Sequence, residues 1–96
     1  MPRKQRDVEH GLEQKGFRRT EGDHAYFHYY SQAGKKTRVF TKTSHGQREI
    51  GEGLLGQMAR QCKISRGDFD RLLDCPLSRA AYEALLVGQG LAEPAR

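Results

Sequence analysis

The sequence predicts an α+β domain of the order α-β-β-β-α, in which a three-stranded antiparallel sheet carries its helices on one face and a C-terminal helical extension follows. Two patterns indicate this fold: apolar residues at helical spacing towards both ends, and a middle part rich in strand-forming residues and glycine turns. The third observation is size. With 96 residues, 35% of them hydrophobic, the chain can build one small core but not two.

The first predicted helix covers residues 3–15. Val8 and Leu12 lie one turn apart on the same face, and charged residues occupy most of the other positions. Gly16 is a stop signal, because glycine readily adopts the left-handed backbone that commonly ends a helix. This helix therefore has one apolar stripe with which to cover a sheet.

Three strands are predicted to follow this helix. A short strand starts at Phe17 and ends at the turn-like sequence TEGD, residues 20–23. The run AYFHYY, residues 25–30, is rich in aromatic residues and forms the second strand. A loop around Gly34 leads to the third strand, TRVFT at residues 37–41, so the last two strands form a hairpin.

The two faces of the second strand differ, because side chains alternate along a strand. The better candidate for the core is the face with Ala25, Phe27 and Tyr29. The opposite face is expected to point outward and carries His24, Tyr26, His28 and Tyr30. The third strand is ambiguous, since each of its faces has one good core residue. Its two faces are Thr37, Val39 and Thr41 against Arg38, Phe40 and Lys42.

Helices are predicted for the rest of the chain. The segment GLLGQMARQCKI has an apolar face made of Leu54, Leu55, Met58, Ala59 and Cys62. Ser65 and Ser78 are suitable caps for two shorter helices. The apolar residues of these two helices are Phe69, Leu72 and Leu73, then Ala81, Tyr82, Leu85 and Leu86. We expect residues 1–64 to form the α-β-β-β-α core and residues 65–96 to be an extension packed on the same domain.

The net charge of +5 is concentrated in the first two thirds of the chain. Residues 1–63 hold 13 Lys and Arg against 7 Asp and Glu, whereas residues 64–96 hold 4 against 5. Such an asymmetry favours a polyanionic partner, because neutralising phosphates supplies most of the non-specific affinity for nucleic acids. A modest excess of Lys and Arg is also a common way to stay soluble, so charge alone leaves the partner open.

Other classes of protein are disfavoured by the cysteines and by the hydropathy pattern. Cys62 and Cys75 form no C-x-x-C pair and are expected to be reduced thiols rather than a disulfide framework. No run approaches the ~20 apolar residues of a membrane span, and the charged residues 1–16 have no apolar stretch behind them. We therefore predict a cytoplasmic protein that has no membrane partner.

The stretch GDHAYFHYY, residues 22–30, combines two histidines with three tyrosines. On a strand, His24 and His28 are about 13 Å apart, which is too far for one zinc ion with bonds of about 2.1 Å. No cluster of Asp, Glu or Cys in the sequence supplies the missing ligands. We therefore predict neither a metal site nor another cofactor.

Histidine chemistry on RNA fits this stretch better. An imidazole with a pKa of about 6.5 can take or give a proton when a ribose 2′-hydroxyl attacks its neighbouring phosphate. His24 is the candidate acid or base, with Tyr26 and His28 beside it on the same face. Phosphates would be held by the basic run Lys35, Lys36, Arg38 and Lys42, and bases would stack on the tyrosines. These residues also have an ordinary interpretation, as a surface histidine, exposed strand tyrosines and a solvated hairpin tip.

Five features follow one another between residues 8 and 64. They are a helix that ends in Lys15-Gly16-Phe17, a strand that starts with Gly22-Asp23-His24, a basic hairpin, the pair His45-Gly46 and the segment REIGEGLLGQMARQ. In this order and approximate spacing they resemble the HicA toxins of bacterial type II toxin–antitoxin systems. The resemblance implies a double-stranded-RNA-binding-like fold and an mRNA-cleaving endoribonuclease that needs no metal and is neutralised by a HicB-type antitoxin.

The resemblance also implies roles for individual residues. In that family the histidine of a Gly-Ser-His motif is catalytic, and it corresponds to His24, with Gly22 as the glycine. Asp23 stands in place of the serine, where it either orients His24 or repels the substrate phosphate. His45 corresponds to the family's loop histidine, although Thr43-Ser44 precedes it where the family has a proline, and we expect it to contact phosphate or the antitoxin.

Two other functions stay open on the sequence alone. The first is a non-catalytic RNA-binding module of the same fold, which the aspartate at position 23 favours. The second is a protein-interaction domain whose basic sheet edge binds an acidic partner. Salt-dependent RNA binding without cleavage distinguishes the first from a ribonuclease, and an absence of RNA binding indicates the second.

Overall fold

The computed structural model describes residues 2–94. Within this range the elements in chain order are β1 (Arg3–Lys4), α1 (Gln5–Gln14), β2 (Phe17–Glu21), β3 (Ala25–Tyr30), β4 (Lys36–Thr43), β5 (Glu49–Ile50), α2 (Glu52–Gln61), α3 (Arg66–Leu73) and α4 (Arg79–Gly88). Strands β2, β3 and β4 form an antiparallel sheet in that order, while β1 and β5 form a separate antiparallel ribbon. The predicted α+β fold with a three-stranded antiparallel sheet is therefore confirmed.

The start of the first helix differs from the prediction. α1 begins at Gln5, and the two residues before it are extended and form β1, in which Arg3 pairs with Ile50. The Arg3 guanidinium donates hydrogen bonds to the carboxylates of Asp70 (3.1 Å) and Asp74 (2.9 Å). Tertiary pairing thus overrides the helical pattern at this end, and it ties the first described residues to α3.

The turn from α1 into β2 depends on Gly16. Its φ of +98° is a left-handed conformation that favours glycine, and a Cβ at this position would meet the side chains of Arg79 and Tyr29. The Gly16 carbonyl also accepts a hydrogen bond from the backbone N–H of Tyr30 at 3.0 Å. The predicted stop signal is therefore confirmed, and it places β2 directly beside β3.

The alternation predicted for the second strand is present in β3. Ala25, Phe27 and Tyr29 are buried with at most 1% exposure, whereas the residues between them are half-buried. The ambiguity in β4 is resolved in favour of the face with Val39 and Thr41, which are buried, while Phe40 remains 41% exposed. Apolar residues of α1 and α2 share one core cluster with this face of the sheet. The opposite face is consequently left uncovered by these two helices.

The last third of the chain contributes to the same core. Phe69, Leu72, Tyr82 and Leu86 have no measurable exposure. The two predicted caps are also confirmed, since the Ser65 hydroxyl accepts from the N–H of Asp68 and the Ser78 hydroxyl accepts from the N–H of Ala81. These helices therefore complete the core of the domain.

The buried face of α4 is rotated relative to the predicted stripe. Of the four apolar residues named for this helix, Tyr82 and Leu86 are buried, whereas Ala81 is exposed and Leu85 is 40% exposed. Glu83 is buried instead, because its carboxylate accepts a 2.7 Å hydrogen bond from the hydroxyl of Tyr29. Burial, together with this hydrogen bond, raises the pKa of Tyr29 to about 12.

A buried lysine joins α1 to the last third of the chain. Lys15 is only 9% exposed, and its Nζ donates to the backbone carbonyls of Leu72 (2.7 Å) and Leu77 (2.8 Å). These carbonyls lie at and after the end of α3, where backbone oxygens lack helical partners. The ammonium group therefore acts as a C-terminal cap supplied from another helix.

Candidate functional site

The side of the three-stranded sheet that faces away from the core is called the open face below. It comprises Arg18 and Thr20 of β2, Tyr26, His28 and Tyr30 of β3, and Lys36, Phe40 and Lys42 of β4. The register aligns Arg18, His28 and Phe40 in one row and Thr20, Tyr26 and Lys42 in the next. All of these side chains are exposed or half-buried. The open face is thus an accessible surface built from rings and cations.

His24 lies at one end of the open face, in the turn that leads into β3. Its Nδ1 is 3.4 Å from an oxygen of the Asp23 carboxylate, a charge contact that lacks hydrogen-bond geometry. The other oxygen of that carboxylate accepts a 2.7 Å hydrogen bond from the hydroxyl of Tyr26. The rings of His24 and Tyr26 meet edge to face at 6.1 Å. These three side chains form a local cluster that turns Nδ1 inward, while 32% of the His24 side chain stays exposed.

The cluster shifts the proton affinity of two of its members. The hydrogen bond from Tyr26 is the main cause that holds the pKa of the Asp23 carboxyl below its usual range. The same hydrogen bond raises the pKa of the Tyr26 hydroxyl. At neutral pH Asp23 is therefore an anion and Tyr26 a neutral donor. The third member of the cluster is the imidazole of His24, a kind of side chain that serves as a general acid or base.

We expect the Tyr26→Phe variant to raise the pKa of Asp23 towards its ordinary value, because the variant removes the largest cause of the depression. The folded pKa is the lower one, so the Asp23–Tyr26 interaction is complete above about pH 4 and is lost as the pH falls through the folded value. NMR titration of the Asp23 carboxyl carbon measures this change. Tyr30→Phe is the matched control, and an equal shift in both variants would contradict the assigned cause.

A row of rings continues along the open face from this cluster. Tyr26 and Phe40 are tilted at 6.4 Å, and Phe40 stacks on His28 with ring centroids 5.0 Å apart and planes 22° apart. The guanidinium of Arg18 lies 4.0 Å from the centre of the Tyr30 ring. Burial, assisted by the nearby Lys36 ammonium, lowers the pKa of His28, which is therefore a neutral ring at pH 7.

The basic residues predicted from the sequence are divided between two places. Lys42 pairs with Tyr26, and Lys36 pairs with Tyr30, so both lie along the open face. Lys35 lies at the hairpin tip, where its Nζ is 2.9 Å from a carboxylate oxygen of Glu93. The tip follows His24 by about seven extended residues, or roughly 20 Å. Lys35 is therefore not brought close to His24.

Arg38 also lies away from the cluster at His24. It lines a groove of about 810 Å³ between the hairpin tip and residues 90–94, together with Lys35, the buried Glu83 and Lys36, which borders both the groove and the open face. His24 and Asp23 are not among the lining residues of this groove. This groove is thus separate from the residues proposed for acid–base chemistry.

His45 and Gly22 meet at the His24 end of the sheet. Nε2 of His45 is 3.1 Å from the Gly22 carbonyl and 3.7 Å from the Glu21 carboxylate. The Gly22 N–H donates to the His24 carbonyl at 3.0 Å, which closes the turn before β3. The glycine and histidine of the predicted motif are therefore in direct backbone contact, and His45 braces the same turn.

Two residues of the open face, Phe40 and Arg18, were missed by the sequence interpretation, whereas Tyr30 was placed on this face. Phe40 was overlooked because the face of its strand was undecided, and the register with His28 is what brings it beside the histidine. Arg18 and Tyr30 come together across β2 and β3, although they are not adjacent in the sequence. Pairing the predicted first strand with the second would have placed Arg18 on the same face as His28 and Tyr30.

Within residues 2–94, no group of three or more His, Cys, Asp or Glu side chains is arranged to hold a metal ion. No helix in this range is long and apolar enough to cross a membrane. Cys62 is a buried free thiol whose pKa is raised by burial, while Cys75 is exposed. The polar groups of the open face are imidazole, hydroxyl and cationic groups, and the carboxylate of Asp23 lies at its His24 end.

Comparison with models of protein families, with curated proteins and with solved structures gives no match for this chain. Its function has to be inferred from the geometry and chemistry described above.

Proposed function

We propose that this protein is a HicA-like endoribonuclease that cleaves mRNA without a metal and uses His24 as its catalytic residue. The observation that carries the proposal is the position of His24. It is a partly exposed imidazole at the end of a face rich in rings and cations, and its Nδ1 is turned towards the Asp23 carboxylate. Tyr26 holds that carboxylate in place at 2.7 Å.

RNA supplies the nucleophile for this reaction. The 2′-hydroxyl loses its proton and attacks the adjacent phosphorus, the bond from phosphorus to the 5′-oxygen breaks, and that oxygen gains a proton. The products are a 2′,3′-cyclic phosphate and a 5′-hydroxyl end, so no water or oxidant is consumed. His24 takes or gives one of these protons, which typically contributes about 10²- to 10⁴-fold to the rate. Lys42 and Lys36 provide positive charge for the phosphates along the open face.

Asp23 has a positioning role in this proposal. Its carboxylate lies beside Nδ1 of His24, so Nε2 is the nitrogen directed to the substrate. Such an arrangement, in which a carboxylate orients the distal nitrogen of an imidazole, is common in acid–base catalysis. Asp23 thereby takes over an orienting function at the position where HicA toxins have serine.

The proposed fold class and the proposed partners of this protein also rest on its resemblance to the HicA toxins. The helix, three-stranded sheet and second helix of residues 5–61 support assignment to the double-stranded-RNA-binding-like class, which we propose for this domain. A HicB-type antitoxin is the proposed inhibitor, and it would act by covering the His24 end of the sheet, including His45. Cleavage of mRNA places the proposed activity in the cytoplasm.

The test is incubation of the purified protein with a long single-stranded RNA in excess chelator, followed by analysis of the fragment ends. We expect cleavage at an undiminished rate and fragments with 2′,3′-cyclic phosphate and 5′-hydroxyl ends. Cleavage that stops on chelation, or that leaves 3′-hydroxyl and 5′-phosphate ends, would contradict the proposed mechanism.

A non-catalytic RNA-binding module is the second candidate, and one observation favours it. The Asp23 carboxylate is 78% exposed beside His24, where it repels a phosphate that approaches the imidazole. This function predicts salt-dependent RNA binding without cleavage by the parent. It also predicts that Asp23→Ser gains cleavage, whereas the ribonuclease proposal predicts activity in the parent itself.

A further inference from the structure

We propose that the open face binds a short segment of single-stranded RNA by base stacking, and that this segment lies on only one side of the bond cleaved at His24. The inference rests on the proposed ribonuclease function and specifies its substrate. It assigns stacking roles to Phe40, Tyr30 and Arg18.

The rings of the open face are placed where bases can reach them. Phe40 is 41% exposed and is one of two exposed large hydrophobic residues among those described. It stacks on His28, which covers one face of the Phe40 ring, and the part of Phe40 that stays exposed is the surface a base can contact. Further along, the central carbon of the Arg18 guanidinium lies 4.0 Å from the centre of the Tyr30 ring, and this cation–π pair provides a second stacking site. Base stacking on such rings tolerates any sequence, because every base has a π-face.

The charge of the open face selects a polyanion. Its eight residues include three cations and no carboxylate. The nearest acidic residues in the sequence, Glu21 and Asp23, lie at its His24 end and are engaged by Arg19 and Tyr26 respectively. Rings interleaved with unopposed cations are the combination that single-stranded nucleic acid requires, since its bases stack while its phosphates need neutralising.

The same geometry excludes duplex RNA from these rings. In an A-form helix the faces of the bases are covered by their neighbours, so a protein ring has no base surface to stack on. A duplex could contact only the cations. The stacking surface therefore favours unpaired segments such as loops, ends and unstructured message.

The position of His24 makes the contact one-sided. His24 precedes β3, and the stacking rings follow it in the direction of Tyr30, over roughly 20 Å of strand. That length accommodates about two or three stacked bases, as on other RNA-binding sheets. Nucleotides on one side of the cleaved bond therefore lie on the rings, while nucleotides on the other side leave the sheet. One of the two cleavage products keeps the stacking contacts.

The first experiment measures binding of a fluorescent single-stranded RNA and of the same RNA in a duplex, in the His24→Ala background so that the probe stays intact. We expect Phe40→Ala and Arg18→Gln each to weaken single-strand binding by roughly 5- to 150-fold, the effect of losing one stacked base. Leu85→Ala, which removes the other exposed large hydrophobic residue, and Arg60→Gln on α2 are the matched controls. Both controls should bind like the parent, and thermal melting checks that every variant is folded.

The second experiment uses the active parent and oligonucleotides with one cleavage site, shortened from either end. Removing nucleotides on one side should leave the cleavage rate unchanged, and removing two or three on the other side should slow it. Phe40→Ala should reduce that difference between the two sides, because one of the two stacking sites is already lost, and the double variant Phe40→Ala with Arg18→Gln should reduce it further.

The outcomes separate this inference from the function on which it rests. If the parent cleaves RNA but Phe40→Ala and Arg18→Gln bind like their controls, the stacking inference is wrong and the ribonuclease stands. Equal affinity for duplex and single strand, or equal sensitivity to shortening on both sides, also overturns it. If the parent neither binds nor cleaves RNA, the proposed function fails and this inference fails with it.

Discussion

The His24→Ala variant is expected to cleave RNA about 10²- to 10⁴-fold more slowly than the parent, which is the usual contribution of one acid or base group. This substitution should lower the unfolding free energy only slightly. The side chain is partly exposed, and its Nδ1 has no hydrogen-bond partner among the described residues. Loss of cleavage in this variant would therefore reflect lost proton transfer rather than unfolding. The rate is measured on the single-stranded substrate in chelator, beside the melting temperature.

His10→Ala is the matched control for this variant. His10 is an exposed histidine on α1, a helix that packs against the opposite side of the sheet. It should cleave like the parent. RNA affinity should also be nearly the same for His24→Ala and the parent, because the open face is unchanged. Parent-like cleavage by a folded His24→Ala would remove His24 from the mechanism.

The Tyr82→Ala variant is expected to lose about 3 to 5 kcal/mol of unfolding free energy, the range for a large aromatic residue in a core. Domains of this length have only about 5 to 14 kcal/mol in total, so most of the stability would go. Tyr82 is fully buried and packs its ring against Tyr29 at 5.1 Å and against Phe17 at 5.7 Å. Its hydroxyl donates to the Cys62 carbonyl at 2.8 Å.

Two further variants separate the contributions at this position. Tyr82→Phe keeps the ring and loses only the hydroxyl, so we expect a loss of about 0.5 to 1.5 kcal/mol. Leu85→Ala lies on the exposed side of the same helix and should change the stability by no more than about 0.5 kcal/mol. Urea unfolding measures all three. A loss for Tyr82→Ala as small as that for Leu85→Ala would show that α4 is not part of the cooperative core.

The parts of the fold that the sequence predicted are those with long periodic patterns. The alternation of AYFHYY identified both faces of β3, and the serine caps located the starts of α3 and α4. The β1–β5 ribbon was missed because strands of two residues have no period to detect. The burial of Glu83 on α4 was not predicted, because the hydrogen bond from Tyr29 that satisfies its carboxylate joins residues 54 positions apart in the sequence.

The sequence predicted the candidate site correctly only where residues that contact one another in the structure are also close together in the chain. Asp23, His24 and Tyr26 come together within one turn and the start of one strand. The basic residues 35–42, by contrast, were interpreted as one phosphate site because they lie close together in the sequence. The bulge after Lys36 and the hairpin tip divide them, so that Lys35 and Arg38 face the groove while Lys42 accompanies Tyr26. Strand register, which sequence alone left undecided, makes the difference.

The contacts that join the two ends of the domain affect how it is made on the ribosome. Arg3 reaches Asp70 and Asp74, and Lys15 caps the carbonyls of Leu72 and Leu77. None of these contacts can form until the last third of the chain has emerged from the exit tunnel, because domains fold as units during synthesis. β1 and α1 can make these contacts only after α3 and the residues that follow it have been synthesised. A nascent chain therefore remains without its complete native core until α3 and α4 have left the exit tunnel.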